Sequence, residues 1–249
     1  MEFYGVSILA GLLLGSTKTT IASDILLNYL VTSENIDDTK KKSMIRTYLI
    51  LSLSNYMTLN GIRDKFELLL KRKDESYNVI SQVLAAISNY KDKRSFDILR
   101  NALEVKGSFS DMIPISAIHG LTEFNNSNDL REESMNLIIE KTSEGNSNSI
   151  RVAAIENSKE FLLHASIDTQ QKIFKVLLNS LDDKWPDVRK KTLAILENTF
   201  DIDNNLFNQT LIDELLKKIE KIVTEDLNYE VRRIAEISLL KSEKNIQDN

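Results

Sequence analysis

The chain has 249 residues, of which 42% are apolar and 28% charged, enough to bury a long core beneath an ordinary solvated surface. It has no cysteine, which excludes a disulfide framework, thiolate metal ligands and a Cys nucleophile; a reducing, cytoplasmic setting is expected. Its formal charge of −5 lacks the basic excess of a nucleic-acid binder, and only seven Gly and two Pro punctuate it, too few for the tight turns of a sheet protein.

The chain opens on an apolar run, Val6 to Leu14, too short to cross a bilayer and without a basic leader before it. We read it as a buried helix that packed against something upstream, so that the chain is expected to be a fragment of a longer protein. An amphipathic helix is predicted over Thr20–Thr32, followed by one anchored on Ile45-Arg46 with Leu49 and Leu53. Asn60–Lys71 is the next helix. Asp74 then leads to a helix anchored on Val79, with Val83 and Ile87 on the same face. Ser95–Val105 precedes an anchor at Ile113-Pro114, with Ala117 and Leu121. Asp129–Thr142 precedes Ile150-Arg151, with Ala154.

The two late copies show the pattern best. After a helix over Thr169–Leu181, Asp183 leads to Val188-Arg189, then Thr192, Leu193 and Leu196. After Leu206–Thr224, Asp226 leads to Val231-Arg232, then Ala235 and Leu239. The anchors 45, 79, 113, 150, 188 and 231 lie 34 to 43 residues apart, the length of two helices and two turns. The Asp ahead of the anchored helix in the copies at 74, 183 and 226 suits a helix N-terminus, where its carboxylate meets orphan N–H groups. One helix pair cannot bury its stripe alone, so stacked pairs are required. The basic runs Lys71 to Lys73 and Lys91 to Arg94 fall between helices and read as solvated turns. After Leu240 the chain is polar apart from Ile246.

The recurring Asp-x4-Val-Arg motif, followed by small and apolar residues, resembles the short, degenerate HEAT repeats. The fold expected is all-α: an α-α superhelix, a HEAT-like solenoid of about six helix pairs plus a terminal helix, forming one domain over 1–249. A narrower resemblance lies in Lys73 to Val79, Leu84 to Ile87 and Ser95 to Leu99, and in the next unit from Ser108 to Ile113 with Ala117, Gly120 and Leu121. These stretches, with the opening Phe3 to Val6, resemble the C-terminal helical domain of aminopeptidase N-like zinc peptidases. That resemblance implies a non-catalytic domain that walls the peptide chamber and limits substrate access. The chain lacks the family's His-Glu-x-x-His zinc helix and its Gly-Ala-Met-Glu-Asn-like strand.

No catalytic, cofactor-binding or metal-ligating residue is assigned, and no cofactor is expected. His119 and Glu123, four apart, could imitate half a metal site, but no second His stands at helical spacing; His164 ends a helix, where a dipole contact accounts for it. The pairs Asp37-Asp38, Glu132-Glu133 and Asp182-Asp183 read as helix-start acids rather than convergent catalytic carboxyls. Gly11 to Lys18 lacks the Gly-Lys-Ser/Thr of a phosphate loop. Trp185, ahead of Pro186, is expected to plug an inter-repeat turn, and Arg46, Arg151, Arg189 and Arg232 are expected to pair with acids of neighbouring repeats rather than to bind ligand. Asn125 and Asn208 begin sequons that matter only in a secreted protein. Three functions compete. One is the peptidase domain, with a partner that includes an upstream catalytic domain. The second is a free-standing scaffold for a protein or peptide. The third is a HEAT-like DNA glycosylase, which the acidic charge and single Trp oppose. Neither a nucleic acid nor a membrane is expected as partner.

Overall fold

The structure, a computed structural model, describes residues 3–59, 61–164, 166–199 and 209–247. All regular structure among them is helical: α1 (Phe3–Thr17), α2 (Thr20–Thr32), α3 (Thr39–Leu53), α4 (Ile62–Leu70), α5 (Tyr77–Ser88), α6 (Lys93–Ala102), α7 (Met112–Thr122), α8 (Arg131–Glu140), α9 (Asn148–Ser158), α10 (Ile167–Ser180), α11 (Pro186–Thr199), α12 (Gln209–Glu225) and α13 (Tyr229–Gln247). The helices group into two compact units, Met1–Glu123 and Phe124–Asn249. No helix among the described residues is long and apolar enough to cross a membrane.

Local chemistry sets most helix starts. Thr19, Asp38, Ser76, Asp92, Ser147 and Ser166 each stand in extended backbone and accept the N–H three residues on, a contact that stabilises a helix by about 1 kcal/mol. Asp92 and Ser95 cap each other reciprocally. Gly61, ahead of α4, has φ +86°, a conformation that only glycine adopts without strain. The expected helix over Thr20–Thr32 is α2. The others shift by one to three residues, and the 206–208 start expected for α12 lies outside the described residues, as do Asn60 and Asn208.

In the first unit α2 pairs with α3, α4 with α5 and α6 with α7, and the anchored helices α3, α5 and α7 stack side by side. In the second unit α8 pairs with α9, α10 with α11 and α12 with α13, and α9, α11 and α13 stack likewise. The repeat explains which residues are inside. Anchors Ile45, Val79, Ile113, Val188 and Val231 are buried, and so are Leu49, Val83, Ala117, Ala154, Thr192 and Ala235 one turn later. Ile150 is only half-buried.

α1 lies against α2 and α3 with one face, and on another Leu9 and Leu13 are 60% and 61% exposed. That covered face is built from glycine. A Cβ on Gly15 would stand 2.9 Å from Ser52 Cβ and 3.0 Å from Ser52 Cα, so the helices meet backbone to backbone. The Tyr56 hydroxyl donates to the Leu14 carbonyl and ties down the end of α1. Gly15→Ala is expected to destabilise the protein by about 1–3 kcal/mol despite alanine's better helix propensity, because the atoms it meets cannot swing away. A urea-unfolding midpoint that rises instead would show that α1 is not held this closely.

Candidate functional site

The Arg series is structural at every position. Arg46, on α3, is almost fully buried; its Nη2 lies 2.6 Å from Glu75 Oε2, in the turn of the next repeat, and its Nη1 lies 3.4 Å from Ser33 Oγ and 3.5 Å from the Leu30 carbonyl of its own turn. Arg151 pairs with Asp183 in the next turn and donates to the Thr142 carbonyl of its own at 3.3 Å. Arg189 grips Asp226 through Nε and Nη2 at 2.6 and 2.8 Å, and donates to its own turn at the Asp183 carbonyl at 2.6 Å. Arg232 donates to the Asp226 carbonyl at 2.5 Å. Each arginine therefore ties its own turn, and three of them also tie the following repeat.

The motif acid works differently from a helix cap. Asp183 and Asp226 each accept the N–H two residues on, 2.8 Å away at Trp185 and Asn228, and turn a second oxygen to the arginine. In the second repeat Asp74 is exposed and pairs with Arg72, while the neighbouring Glu75 takes the clamp. Burial pushes the Asp226 carboxyl up, but Arg189, the Asn228 N–H and the Arg232 charge outweigh it and hold the group below its ordinary value.

Within the units, one junction lacks the clamp. The second-repeat residue equivalent to Arg46 is Ile80, which is buried and carries no charge. That junction is held instead between α4 and α6. Arg63 Nη2 donates to Asp92 Oδ1 at 2.9 Å, Arg94 Nη2 to Glu67 Oε2 at 2.6 Å, and the Arg63 guanidinium sits 4.5 Å from the centre of the Tyr90 ring. The Arg63 hydrogen bond holds the Asp92 carboxyl well below the usual carboxylate range. Because the folded state lowers this pKa, the contact contributes fully above about pH 4 and is lost as the pH falls below it. Asp92→Asn is expected to flatten the decline of the urea midpoint between pH 5 and pH 2.5. An unchanged slope would mean that the exposed pair contributes nothing.

Where neighbouring repeats meet, three crevices occupy corresponding places. In the second unit one of about 570 Å³ lies between the α10–α11 turn and α12, and one of about 260 Å³ between the α8–α9 turn and α10. The first contains Asp182, Arg189, Lys218 and Glu225, the second Glu144, Arg151 and Asp183. The third, of about 500 Å³ in the first unit, lies between the α4–α5 turn and α6 and is walled by Leu70, Ile80, Ile98, Ala102, Val105 and Ile113.

The outward stripe of the stacked helices also differs between units. It falls at the residues one before, three after and six after each anchor. In the first unit these are Met44, Tyr48 and Leu51 on α3, Asn78, Gln82 and Ala85 on α5, and Met112, Ser116 and His119 on α7, all at least partly exposed and without an acid, lysine or arginine. In the second unit the same stripe carries Glu156, Asp187, Lys191 and Glu230, and ion pairs run along it: Lys191 with Glu156 and Lys190 with Glu230, both at 3.0 Å.

The remaining sequence candidates scatter. Glu123 ends α7 and pairs with Lys91 at 3.2 Å, and among the described residues no group of three or more His, Asp and Glu is placed to hold a metal ion. The His164 side chain lies outside the described residues. Asp38 caps α3, and Glu132 and Glu133 lie in the first turn of α8. Gly11 lies within α1, not in a phosphate loop. Trp185 is 46% exposed, so it does not plug its turn; Lys184 sits 5.8 Å from its ring. Sequence reasoning missed the apolar crevice and the uncharged stripe. The signal for the first was the absent Arg after Val79.

No protein-family model matches the chain, and no curated protein matches it. Solved structures do resemble it. A designed armadillo repeat protein in complex with the peptide (KR)4 aligns over 86% of this chain and 98% of its own, at 16% identity and a TM-score of 0.53. Two engineered proteins from a structural-genomics consortium align at TM-scores of 0.53 and 0.52, with 14% and 16% identity, over 87% and 88% of this chain and 96% and 98% of theirs. The shared property at such identities is the fold: this chain is an all-α helical-repeat protein, similar to armadillo-type arrays.

Proposed function

We propose that the chain is a non-catalytic helical-repeat scaffold that binds a segment of a protein or peptide partner along the stacked helices of its first unit, in a cytoplasmic setting. One observation carries the reading. Met44, Tyr48 and Leu51 share a face of α3 at helical spacing and stand 41%, 37% and 42% exposed, in a register where unit two carries Glu156, Asp187, Lys191 and Glu230. The neighbouring Asn78, Gln82 and Ser116 offer donors and acceptors for a peptide backbone. An aromatic beside adaptable polar groups suits the centre of an interface. The designed armadillo repeat bound to (KR)4 is a precedent for the same fold holding a peptide. The reading treats residues 1–249 as one array.

The test is to pan a display library of random dodecapeptides against the full chain and to measure the affinity of enriched sequences by calorimetry. One-to-one binding that Tyr48→Ala weakens tenfold or more is expected. Failure to enrich any sequence would remove the scaffold reading.

A second reading keeps the chain as the C-terminal domain of an aminopeptidase N-like enzyme. It is supported by the resemblance of residues 73–121, which form the α4–α5 turn, α5, α6 and α7. An in-frame upstream segment carrying His-Glu-x-x-His would support it, and the absence of any associated peptidase domain would sink it.

A further inference from the structure

We infer that the clamp-free crevice of the first unit receives a bulky apolar side chain from a partner peptide whose flanking residues are acidic. The inference rests on the scaffold reading and adds a site and a partner chemistry to it.

The crevice owes its character to a set of coordinated differences at one junction. The residues that line the corresponding crevice from α12 are Lys218, Lys221, Ile222 and Glu225. From α6 and the turn after it they are Ile98, Asn101, Ala102 and Val105, with the same three-, four- and seven-residue spacing in sequence. A lysine and a glutamate have become isoleucine and valine, and on the facing wall the clamp arginine has become Ile80. In the two second-unit crevices the clamp fills this place with charge, Arg151 with Asp183 and Arg189 with Asp226, although the α10 wall of Val176, Asn179 and Ser180 is itself uncharged. Here the repeat leaves an apolar hollow whose size, about 500 Å³, lies in the range of about 300–1,000 Å³ usual for ligand pockets. The pairs Arg63–Asp92 and Arg94–Glu67 hold the same two repeats together beside the hollow.

The charges around it select the partner's sign. Both acids of the lining are engaged: Glu67 with Arg63 and Arg94, Glu75 with buried Arg46. Arg72 is engaged with Glu34 and Asp74. Lys71 and Lys73 remain, both exposed and, among the described residues, without an ion-pair partner. An apolar group entering the crevice thus passes Lys71 and Lys73, which have no ion-pair partner among the described residues. Acidic residues on either side of it gain from them, and basic ones are repelled. On another side the Tyr77 hydroxyl donates to the Gly107 carbonyl at 3.3 Å and fixes the wall.

The experiment sorts the dodecapeptides enriched on the full chain by the variants that abolish their binding. The structure requires a class with a Leu, Ile, Met or Phe between acidic residues. Its affinity should fall tenfold or more in Lys71→Glu/Lys73→Glu and in Val105→Asp, hold in the second-unit control Lys221→Glu, and decline with added salt. The lysines are exposed, so the double variant keeps the test open if Val105→Asp does not fold; unchanged melting verifies each variant. The inference is overturned, with the scaffold reading intact, if every enriched peptide follows Tyr48→Ala and none responds to the crevice variants, or if crevice-dependent peptides are basic. Enrichment of no peptide at all overturns both.

Discussion

Arg46→Ala is expected to lower the unfolding free energy by about 3–5 kcal/mol, the usual cost of removing one partner of a buried ion pair. The side chain is 1% exposed and its partner Glu75 7%. Truncation leaves the Glu75 carboxylate buried without its cation and takes a donor from Ser33 and the Leu30 carbonyl. The cost reflects what is left behind rather than the net worth of the pair. Arg46→Met with Glu75→Leu should therefore recover much of the loss, because it removes both charges and fills the space. Chemical denaturation of the wild type, Arg46→Met, Glu75→Leu and their double closes the cycle. A single-variant loss below about 1 kcal/mol, the range of a surface ion pair, would show that the clamp is not the buried contact described.

Phe96→Ala carries an expected loss of about 3–5 kcal/mol, from lost transfer energy and the cavity left behind. Phe96 lies on α6 with no exposed surface, and the Lys93 ammonium is 4.6 Å from the centre of its ring. In a stack each repeat touches only its neighbours, so the damage should begin locally. Amide exchange is expected to accelerate first in α5, α6 and α7, which meet at this repeat. Phe96→Leu, closer in volume, should cost less than half as much. Equal acceleration in α1 and α2 would contradict the nearest-neighbour account.

The recurring anchors made the first level of structure legible. Ile45, Val79, Val188 and Val231 announce a buried position and a helix phase from sequence alone, because a 3.6-residue period needs only local spacing to be recognised. The Arg at the following position could be assigned to neighbouring acids on chemistry alone, and Glu75, Asp183 and Asp226 are those acids. Asp74 misled for a corresponding reason. Spacing singled it out, but which of two adjacent carboxylates turns inward depends on where Arg46 arrives from another repeat. The uncharged stripe of α3, α5 and α7 was equally hidden, since corresponding members on neighbouring helices are more than thirty residues apart and meet only when the helices stack.

The sequence by itself determined the helical class, the repeat length and the inward faces, all of which follow from interactions within a few residues. The tertiary structure alone decided which face of α1 meets α2 and α3, and the partial exposure of Trp185. It alone showed that Ile80, Ile98, Ala102 and Val105 surround one space beneath Lys71 and Lys73. An apolar residue reads the same in a core and in an empty pocket, and only the distances between repeats tell them apart.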